Sequence, residues 1–128
     1  MANCLWIEPE QLADWMKNSP NETIIIDVRD IDYQVRKIPG SKHIEYSEFP
    51  SQIEQLISDL QKLRPKPKRI VFHCMFCKQR GPSAAEYFYQ KSQDASPNLN
   101  LDVCILNGGF NKWKIRFFKD ENMFETIP

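Results

Sequence analysis

The amino-acid sequence predicts an α/β domain with a mainly parallel five-stranded sheet and helices on both of its faces. Three continuous apolar runs, at residues 23–28, 69–73 and 102–106, have the length and composition of strands that are buried on both sides. Segments with helical periodicity separate these runs along the chain. Strands that alternate with helices favour a parallel sheet, with a functional site formed by loops at the carboxyl ends of the strands.

The first half of the chain supplies three of the five predicted strands. Residues 5–7 form a short apolar run, which predicts a first strand. A helix over residues 9–17 follows, because the proline at its start is tolerated in a first helical turn. After the buried strand at residues 23–28, Pro39-Gly40 predicts a turn, and residues 43–46 predict a weak, short strand.

The middle of the chain predicts a long amphipathic helix. Ser51 and Glu54 have the spacing of a capping box, which predicts that the helix begins there. Its apolar stripe consists of Ile53, Leu56, Ile57, Leu60 and Leu63. The connector at residues 64–69 contains two prolines and four cations, which predicts a solvated segment or, alternatively, a weak docking patch.

The second half of the chain predicts two strands, each of which leads into a helix. The strand at residues 69–73 runs into a reactive loop, and a helix follows with Pro82 in its first turn. The strand at residues 102–106 is followed by two glycines and a short helix that carries Trp113. The mixed segment beyond Arg116 gives no prediction.

Composition favours one globular domain that spans residues 1–128. Seventeen basic residues balance seventeen acidic ones, so we expect neither nucleic acid nor a membrane as partner. The N-terminus lacks the charged and apolar regions of a secretory signal. The four cysteines are too few for a dense disulfide framework, which favours a reducing location in the cytoplasm, the nucleus or both. They are Cys4, Cys74, Cys77 and Cys104.

The loop between His73 and Pro82 carries the chemistry. It places Cys74 and Arg80 six positions apart, where a strand gives way to a helix. Backbone N–H groups of such a loop, together with the positive end of the helix dipole, bind a tetrahedral oxyanion. Arg80 can bind two of the anion's oxygens. These groups should lower the pKa of the Cys74 thiol from ~8.5 towards ~3.5–7.5, so we predict a nucleophilic thiolate beneath a bound oxyanion.

The two cysteines and the arginine of this loop are also compatible with simpler roles. Cys74 could be a small core residue and Arg80 a surface cation, although residues 78–81 are a poor core sequence. Cys74 and Cys77 also have the spacing of a dithiol redox pair, but a redox role leaves Arg80 without a function. The two thiols could be half of a metal site, yet no second pair of ligands has a suitable spacing, and we predict no metal.

Four residues are predicted to support the loop. The side chain of His73, one position before the cysteine on a strand, should point away from the anion and support the loop by hydrogen bonding rather than act as a base. Asp27 and Arg29 end the neighbouring buried strand, where they brace the loop or, alternatively, cap a turn. Gly81 completes the predicted support at the start of the following helix.

Four segments together resemble the rhodanese-like domain. They are Ile26-Asp27-Val28-Arg29, residues 33–44 with Pro39-Gly40-Ser41, the His-Cys-x5-Arg-Gly-Pro loop, and Leu106 through Trp113. Within that superfamily, sulfurtransferases typically have a loop one residue shorter. The longer loop resembles that of the M-phase-inducer (cell-division-cycle) dual-specificity phosphatases and of eukaryotic arsenate reductases. This resemblance implies that Cys74 is the nucleophile and Arg80 the anion-binding arginine. It also implies that main-chain amides of the loop line an oxyanion cradle, and the residues concerned are Met75, Phe76, Cys77, Lys78, Gln79 and Arg80.

The sequence departs from the inducer phosphatases at the loop. Their acidic loop residues are replaced here by the neutral Met75 and Gln79, so an obvious general acid is missing from the loop. Carboxylates outside the loop are candidates for that role, namely Asp30, Asp32 and Glu48.

Two further departures concern the surroundings of the loop. Val28 occupies the position where some relatives hold a back-up cysteine, and Cys77 could substitute for it. Arg36-Lys37-Ile38 replaces the usual Gly-His before the isoleucine. This change adds positive charge near the site or merely on the surface, and both interpretations remain open.

The lead hypothesis is a phosphatase of the protein-tyrosine or dual-specificity type that hydrolyses phosphotyrosine or a similar phosphomonoester through a phosphocysteine at Cys74. We expect no cofactor, and a phosphorylated protein or a small molecule as the substrate. The alternative is an arsenate reductase, in which Cys77, or glutathione with glutaredoxin as partner, resolves the arsenic adduct. Loop length disfavours sulfur transfer, and the intact Cys74 and Arg80 disfavour a binding module without activity.

Overall fold

A computed structural model describes residues 3–128, and the first two residues of the predicted domain lie outside this range. The strands in chain order are β1 (Leu5–Ile7), β2 (Thr23–Asp27), β3 (Arg36–Lys37), β4 (Lys42–His43), β5 (Arg69–His73), β6 (Asp102–Leu106) and β7 (Glu125–Thr126). The helices are α1 (Pro9–Asn18), α2 (Phe49–Lys62), α3 (Arg80–Ser92) and α4 (Gly109–Phe117). Every helix within the described residues is too short or too polar to cross a lipid bilayer.

Five strands form one sheet in the order β1-β6-β5-β2-β4, and all four neighbouring pairs are parallel. The predicted fold class, an α/β domain on a mainly parallel five-stranded sheet, is therefore confirmed. The order places β5 at the centre and β2 beside it, with Asp27 opposite His73 in the register. The carboxyl ends of these two strands consequently deliver the predicted reactive loop and its predicted support to the same edge of the sheet.

Both faces of the sheet are covered, because strand side chains alternate between two cores. Ile70 and Phe72 of β5 pack with α2 and α3, whereas Val71 between them packs with α1 and α4. All three side chains are fully buried. At about 1.5–3 kcal/mol for each fully buried large apolar side chain, this double burial is the main force that holds β5, and hence the start of the loop, in place.

The structure corrects two details of the sequence prediction and assigns one segment for which the sequence gives none. Helix α2 begins at Phe49 with a proline in its first turn, and the Ser51 hydroxyl donates to the Glu48 carbonyl (2.8 Å) instead of capping the helix. The predicted capping box is therefore wrong, because a preceding 3-10 turn at residues 46–48 already starts the helix. Strand β4 covers Lys42–His43, so the predicted strand at residues 43–46 is correct only at His43. The unassigned tail forms β7, which pairs antiparallel with β3.

Candidate active site

The reactive loop runs from the end of β5 to the first turn of α3 and is closely packed from behind by α4. The Phe110 amide donates to the Cys74 carbonyl (2.9 Å), and the Asn111 amide donates to the Met75 carbonyl (2.8 Å). This approach requires glycine at position 109, where φ is +59° and a Cβ atom would lie 2.6 Å from the Cys74 carbonyl oxygen. The start of α4 therefore fixes the backbone of the loop.

The Cys74 sulfur lies at the floor of the loop and accepts main-chain hydrogen bonds. The amide of Cys77 donates to it at 3.1 Å and the amide of Gly81 donates to it at 3.3 Å. The residue is only 3% exposed, and a buried sulfur that accepts two N–H groups is suited to carry negative charge. Both amides bind the sulfur itself, so the ring of N–H groups around an oxyanion stays a prediction.

The pKa of the Cys74 thiol is lowered to about 5. The largest cause is a hydrogen bond from the Cys77 side chain, which outweighs the opposing effect of burial. The two main-chain amides lower it further, and the charge of Arg80 contributes least among these groups. A pKa of about 5 favours the thiolate form at neutral pH, and the second thiol lowers this pKa more than the guanidinium that the sequence analysis emphasises.

Cys77 is buried against the same floor. Its backbone is left-handed (φ +58°), which directs its amide to the Cys74 sulfur. Its thiol lies 3.9 Å from the Phe72 carbonyl, and its pKa is raised by its hydrogen bond to Cys74 and by burial. Gly81 makes room for it, since a Cβ atom there would lie 2.5 Å from the Cys77 sulfur. The structure thus brings a thiolate and a protonated thiol together inside one loop.

Arg80 begins α3 and is held at the mouth of the site by Asp32. Its two terminal nitrogens donate to the two carboxylate oxygens at 2.8 and 2.6 Å, and both side chains remain about a quarter exposed. Because this end-on contact uses Nη1 and Nη2, the Nε side of the guanidinium stays available to an oxyanion. Asp32 was missed as a partner of Arg80, because nothing in its spacing links it to a residue 48 positions away.

The Arg80 contact also weighs against Asp32 as the general acid. The hydrogen bonds from Arg80 outweigh partial burial and lower the pKa of the Asp32 carboxyl to about 2. The group is therefore ionised at neutral pH and has no proton to give to a leaving group. Asp30 lies at the same mouth, with its carboxylate 3.7 Å from Arg80. Glu48 lies before α2, with its carboxylate 3.5 Å from the Ser51 hydroxyl.

Asp27 and Arg29 form a second arginine–aspartate pair, and both residues are fully buried. Arg29 Nη2 donates to Asp27 Oδ2 (2.8 Å) and to the Arg36 carbonyl (3.0 Å), while its guanidinium lies 4.2 Å from the Phe110 ring centre. Burial alone would raise the pKa of the Asp27 carboxyl, but the neighbouring His73 and the Arg29 hydrogen bonds bring it below its usual value. The pair links β2, β3 and α4 behind the loop, which fits the bracing role that we predict for it.

His73 is fully buried and directed behind the loop. Its Nδ1 atom lies 3.1 Å from the Cys74 carbonyl, to which it donates in the Nδ1–H tautomer, and its Nε2 atom lies 3.8 Å from Asp27. Its ring also stacks on Phe110. The side chain is therefore placed to support the loop backbone and does not face the anion site.

A cavity of about 350 Å³ opens above the sulfur. Its lining residues are Cys74, Phe76, Cys77, Lys78, Gln79 and Arg80. Five of the six predicted cradle residues therefore surround one cavity, and we call it the oxyanion cavity. Met75 is the exception, since it lines a neighbouring cleft instead. Among the described residues no group of three or more histidine, cysteine or acidic side chains is arranged to hold a metal ion.

Comparison with known proteins connects this geometry to named relatives. The profile of the Rhodanese-like domain matches residues 8–116. The chain is 34% identical to the dual specificity phosphatase ibp1 of Schizosaccharomyces pombe, with 98% of this chain and 99% of that protein covered. It is 32% identical to arsenate reductase 2.1 of Oryza sativa subsp. japonica, with 78% and 61% covered. The solved structure of Ygr203w, described as a yeast protein tyrosine phosphatase of the rhodanese family, superposes with a TM-score of 0.82 at 28% identity, with 97% and 93% covered.

Proposed function

The chain belongs to the rhodanese-like domain family, and from this premise we propose that it is a cysteine-dependent phosphatase acting on phosphotyrosine or a similar phosphomonoester. The family predicted from the sequence, with its phosphatase and arsenate reductase relatives, is confirmed. The observation that carries the proposal is the Cys74 sulfur, which accepts two amide hydrogen bonds beneath a cavity that Arg80 lines. We infer that residues 1–128 act as one catalytic domain.

The reaction begins with attack of the Cys74 thiolate on phosphorus. A sulfur–phosphorus bond forms as the bond from phosphorus to the substrate oxygen breaks, and the alcohol leaves with a proton. Arg80 and the N–H groups of the oxyanion-binding loop stabilise the charge on the three equatorial oxygens. Water then attacks phosphorus, releases inorganic phosphate and returns the thiolate, so that no metal or cofactor is needed.

Asp30 is the candidate that supplies the leaving-group proton. Its carboxylate lies at the mouth of the oxyanion cavity, 3.7 Å from Arg80, and does not make the bidentate arginine contact that occupies both oxygens of Asp32. A well-placed general acid contributes about 10²–10⁴ to the rate, so its contribution is greatest for poor leaving groups. Alkyl alcohols are poorer leaving groups than phenols, so the contribution of Asp30 to the rate should be greater for alkyl phosphates than for aryl phosphates.

Hydrolysis of an aryl phosphate by the purified chain tests the proposal. We expect turnover by the wild type and none by Cys74→Ser, because a hydroxyl is not ionised at neutral pH. Cys104→Ser is the matched control. Cys104 is also a buried cysteine, but burial raises its pKa to about 11. It packs in the core on the other face of the sheet from α2 and α3. Equal activity in the wild type and Cys74→Ser would reject the mechanism.

Arsenate reduction is the second candidate, and the position of Cys77 favours it. Cys74 would displace water from arsenate to form a sulfur–arsenic(V) bond, after which a thiolate attacks the Cys74 sulfur. That step forms a disulfide and leaves the electron pair of the broken bond on arsenic, which departs as arsenite. The second thiol is Cys77 or glutathione, with glutaredoxin or a similar dithiol reducing the disulfide. The four free cysteines of the chain suit the reducing cytoplasm or nucleus, where such thiols are abundant.

Arsenite production in the presence of glutathione separates the two candidates. A chain that forms arsenite but leaves aryl phosphate intact would be a reductase. In that case Cys77→Ser tells the two resolving thiols apart, because it stops turnover only where Cys77 is the resolving thiol. Thiocyanate formation from thiosulfate and cyanide would instead indicate sulfur transfer and overturn both candidates.

A further inference from the structure

A second cleft of about 360 Å³ lies beside the oxyanion cavity. The two share a wall. Met75 lines the second cleft, and the next residue, Phe76, lines the oxyanion cavity. Asp32 of the second cleft also binds Arg80 of the oxyanion cavity. Phe110 lies in the same cleft and is tied to the loop through its amide. A group bound in the second cleft would therefore be a close neighbour of a group above Cys74.

The second cleft carries positive charge without compensation. Of its charged lining groups, Arg29 and Asp32 are each committed to an opposite charge. Arg36 and Lys114 also line it, and within residues 3–128 neither of them takes part in an ion pair. Both instead lie against aromatic rings, Arg36 at 4.1 Å from the Phe124 ring centre and Lys114 at 5.7 Å from that of Phe110. The cleft is thus complementary to an anion.

The wall of the second cleft is held in a strained conformation. Val35 has φ at +69°, a left-handed conformation that β-branched residues rarely adopt, and it is 72% exposed. Main-chain contacts with the tail fix it, since the Ile127 amide donates to the Val35 carbonyl (2.9 Å) and Arg36 pairs with Thr126. Strain of this kind persists where the surrounding structure enforces it and clusters at functional sites. Here it presents an apolar side chain beside the two free cations.

We propose that the second cleft binds an acidic side chain of a phosphopeptide substrate, next to the phosphorylated residue that Cys74 attacks. Arg36 and Lys114 bind the carboxylate, and Val35 and Met75 contact the apolar part of the peptide. The mixture of cations with exposed apolar surface favours a peptide over a small diphosphorylated molecule, which would leave the apolar surface uncovered. This inference rests on the proposed phosphatase function and adds a sequence preference to it.

Two phosphotyrosine peptides that differ only in Glu or Gln beside the phosphotyrosine test the proposal. For the wild type we expect kcat/KM to be about fivefold higher with the Glu peptide, as two partly exposed charge pairs would provide, and mainly through KM. In the double variant Arg36→Gln/Lys114→Gln the ratio should fall to about one. Glutamine keeps the main-chain pairing of β3. The control is Lys119→Gln, which removes an exposed cation outside the second cleft and should keep the wild-type ratio.

The outcomes separate this inference from the proposed function. If neither peptide is hydrolysed in a Cys74-dependent way, the phosphatase proposal itself is wrong. If both are hydrolysed by the wild type at equal kcat/KM, or if the double variant keeps the preference, the acidic subsite is wrong and the phosphatase stands. A preference for aryl bisphosphates over monophosphates, without a preference between the peptides, would assign the two cations to a second phosphate and overturn the peptide proposal.

Discussion

Two arginine–aspartate pairs lie beside the reactive loop. They have the same chemical groups and similar contact distances, but their exposure to water differs. Arg29 and Asp27 meet at 2.8 Å with both side chains excluded from water. Arg80 and Asp32 meet at 2.6 Å at the mouth of the oxyanion cavity, with both side chains about a quarter exposed. Similar contact distances therefore occur in two very different environments. Burial, rather than distance, decides which pair serves the fold and which one can serve a substrate.

The physical reason is the cost of an unpaired charge. In the interior, removal of one partner leaves the other without water or counter-ion, and such a loss costs about 3–5 kcal/mol. At the mouth, water and salt replace the missing partner, so that an exposed pair contributes about 0–1 kcal/mol. Arg80 can consequently turn towards an oxyanion at little cost, whereas Arg29 cannot leave Asp27.

Substitution of the buried aspartate is expected to have the largest effect. Asp27→Asn should lower the free energy of unfolding by about 3–5 kcal/mol, because the Arg29 charge is left buried without its counter-ion. Urea denaturation followed by circular dichroism measures this loss. The matched substitution Asp32→Asn should change it by no more than about 1 kcal/mol. Equal losses in the two variants would mean that burial does not distinguish the pairs.

The arginine at the mouth of the oxyanion cavity should show the opposite profile. Arg80→Lys keeps the charge but loses the planar set of donors, so kcat/KM for an aryl phosphate should fall about 10²–10³-fold. The free energy of unfolding should remain within about 1 kcal/mol of the wild type. Steady-state kinetics and urea denaturation of the same preparation test both statements. A variant that loses stability in proportion to activity would assign Arg80 to the fold.

Asp32 should act on the reaction only through Arg80. Asp32→Ala removes the carboxylate that holds the guanidinium end-on, and the loss of orientation should lower kcat/KM by roughly tenfold. In Arg80→Lys the same substitution should have little further effect, because the group that Asp32 positions is already gone. The double-mutant cycle measures this coupling. Additive losses would show that Asp32 acts independently of Arg80, and rates above those of the wild type would show that it competes with the substrate.

The fold and the centre of the site could be predicted because their signals are local. The continuous apolar runs identify the strands, and the spacing of Cys74 and Arg80 between a strand and a helix identifies the loop. The buried pair can be predicted for the same reason, since Asp27 and Arg29 are two positions apart at the end of a strand.

The features that were missed depend on contacts between distant parts of the chain. Asp32 and Arg80 are 48 positions apart in the sequence, and no local pattern around either residue predicts their contact. The tail forms β7 only because it pairs with β3, and two residues are too few to show the alternation of polar and apolar side chains that predicts a strand. For the same reason the sequence alone does not decide whether Arg36 lies near the site or on the surface. The tertiary structure places it in the second cleft.

The smallest expected effect compares Arg80 with Cys77 as stabilisers of the thiolate. Cys77→Ala removes the largest favourable contribution to the lowered pKa of Cys74, so this pKa should rise from about 5 by about one unit. Cys77→Ser keeps a donor and should restore most of the lowering. Arg80→Gln should raise the pKa by less than Cys77→Ala does, because its charge acts from the solvent-exposed mouth. The rate of alkylation by a neutral haloacetamide, followed against pH with Cys74→Ser as the blank, measures each value. A larger rise in Arg80→Gln than in Cys77→Ala would show that the exposed charge, and not the buried thiol, sets the ionisation of the nucleophile.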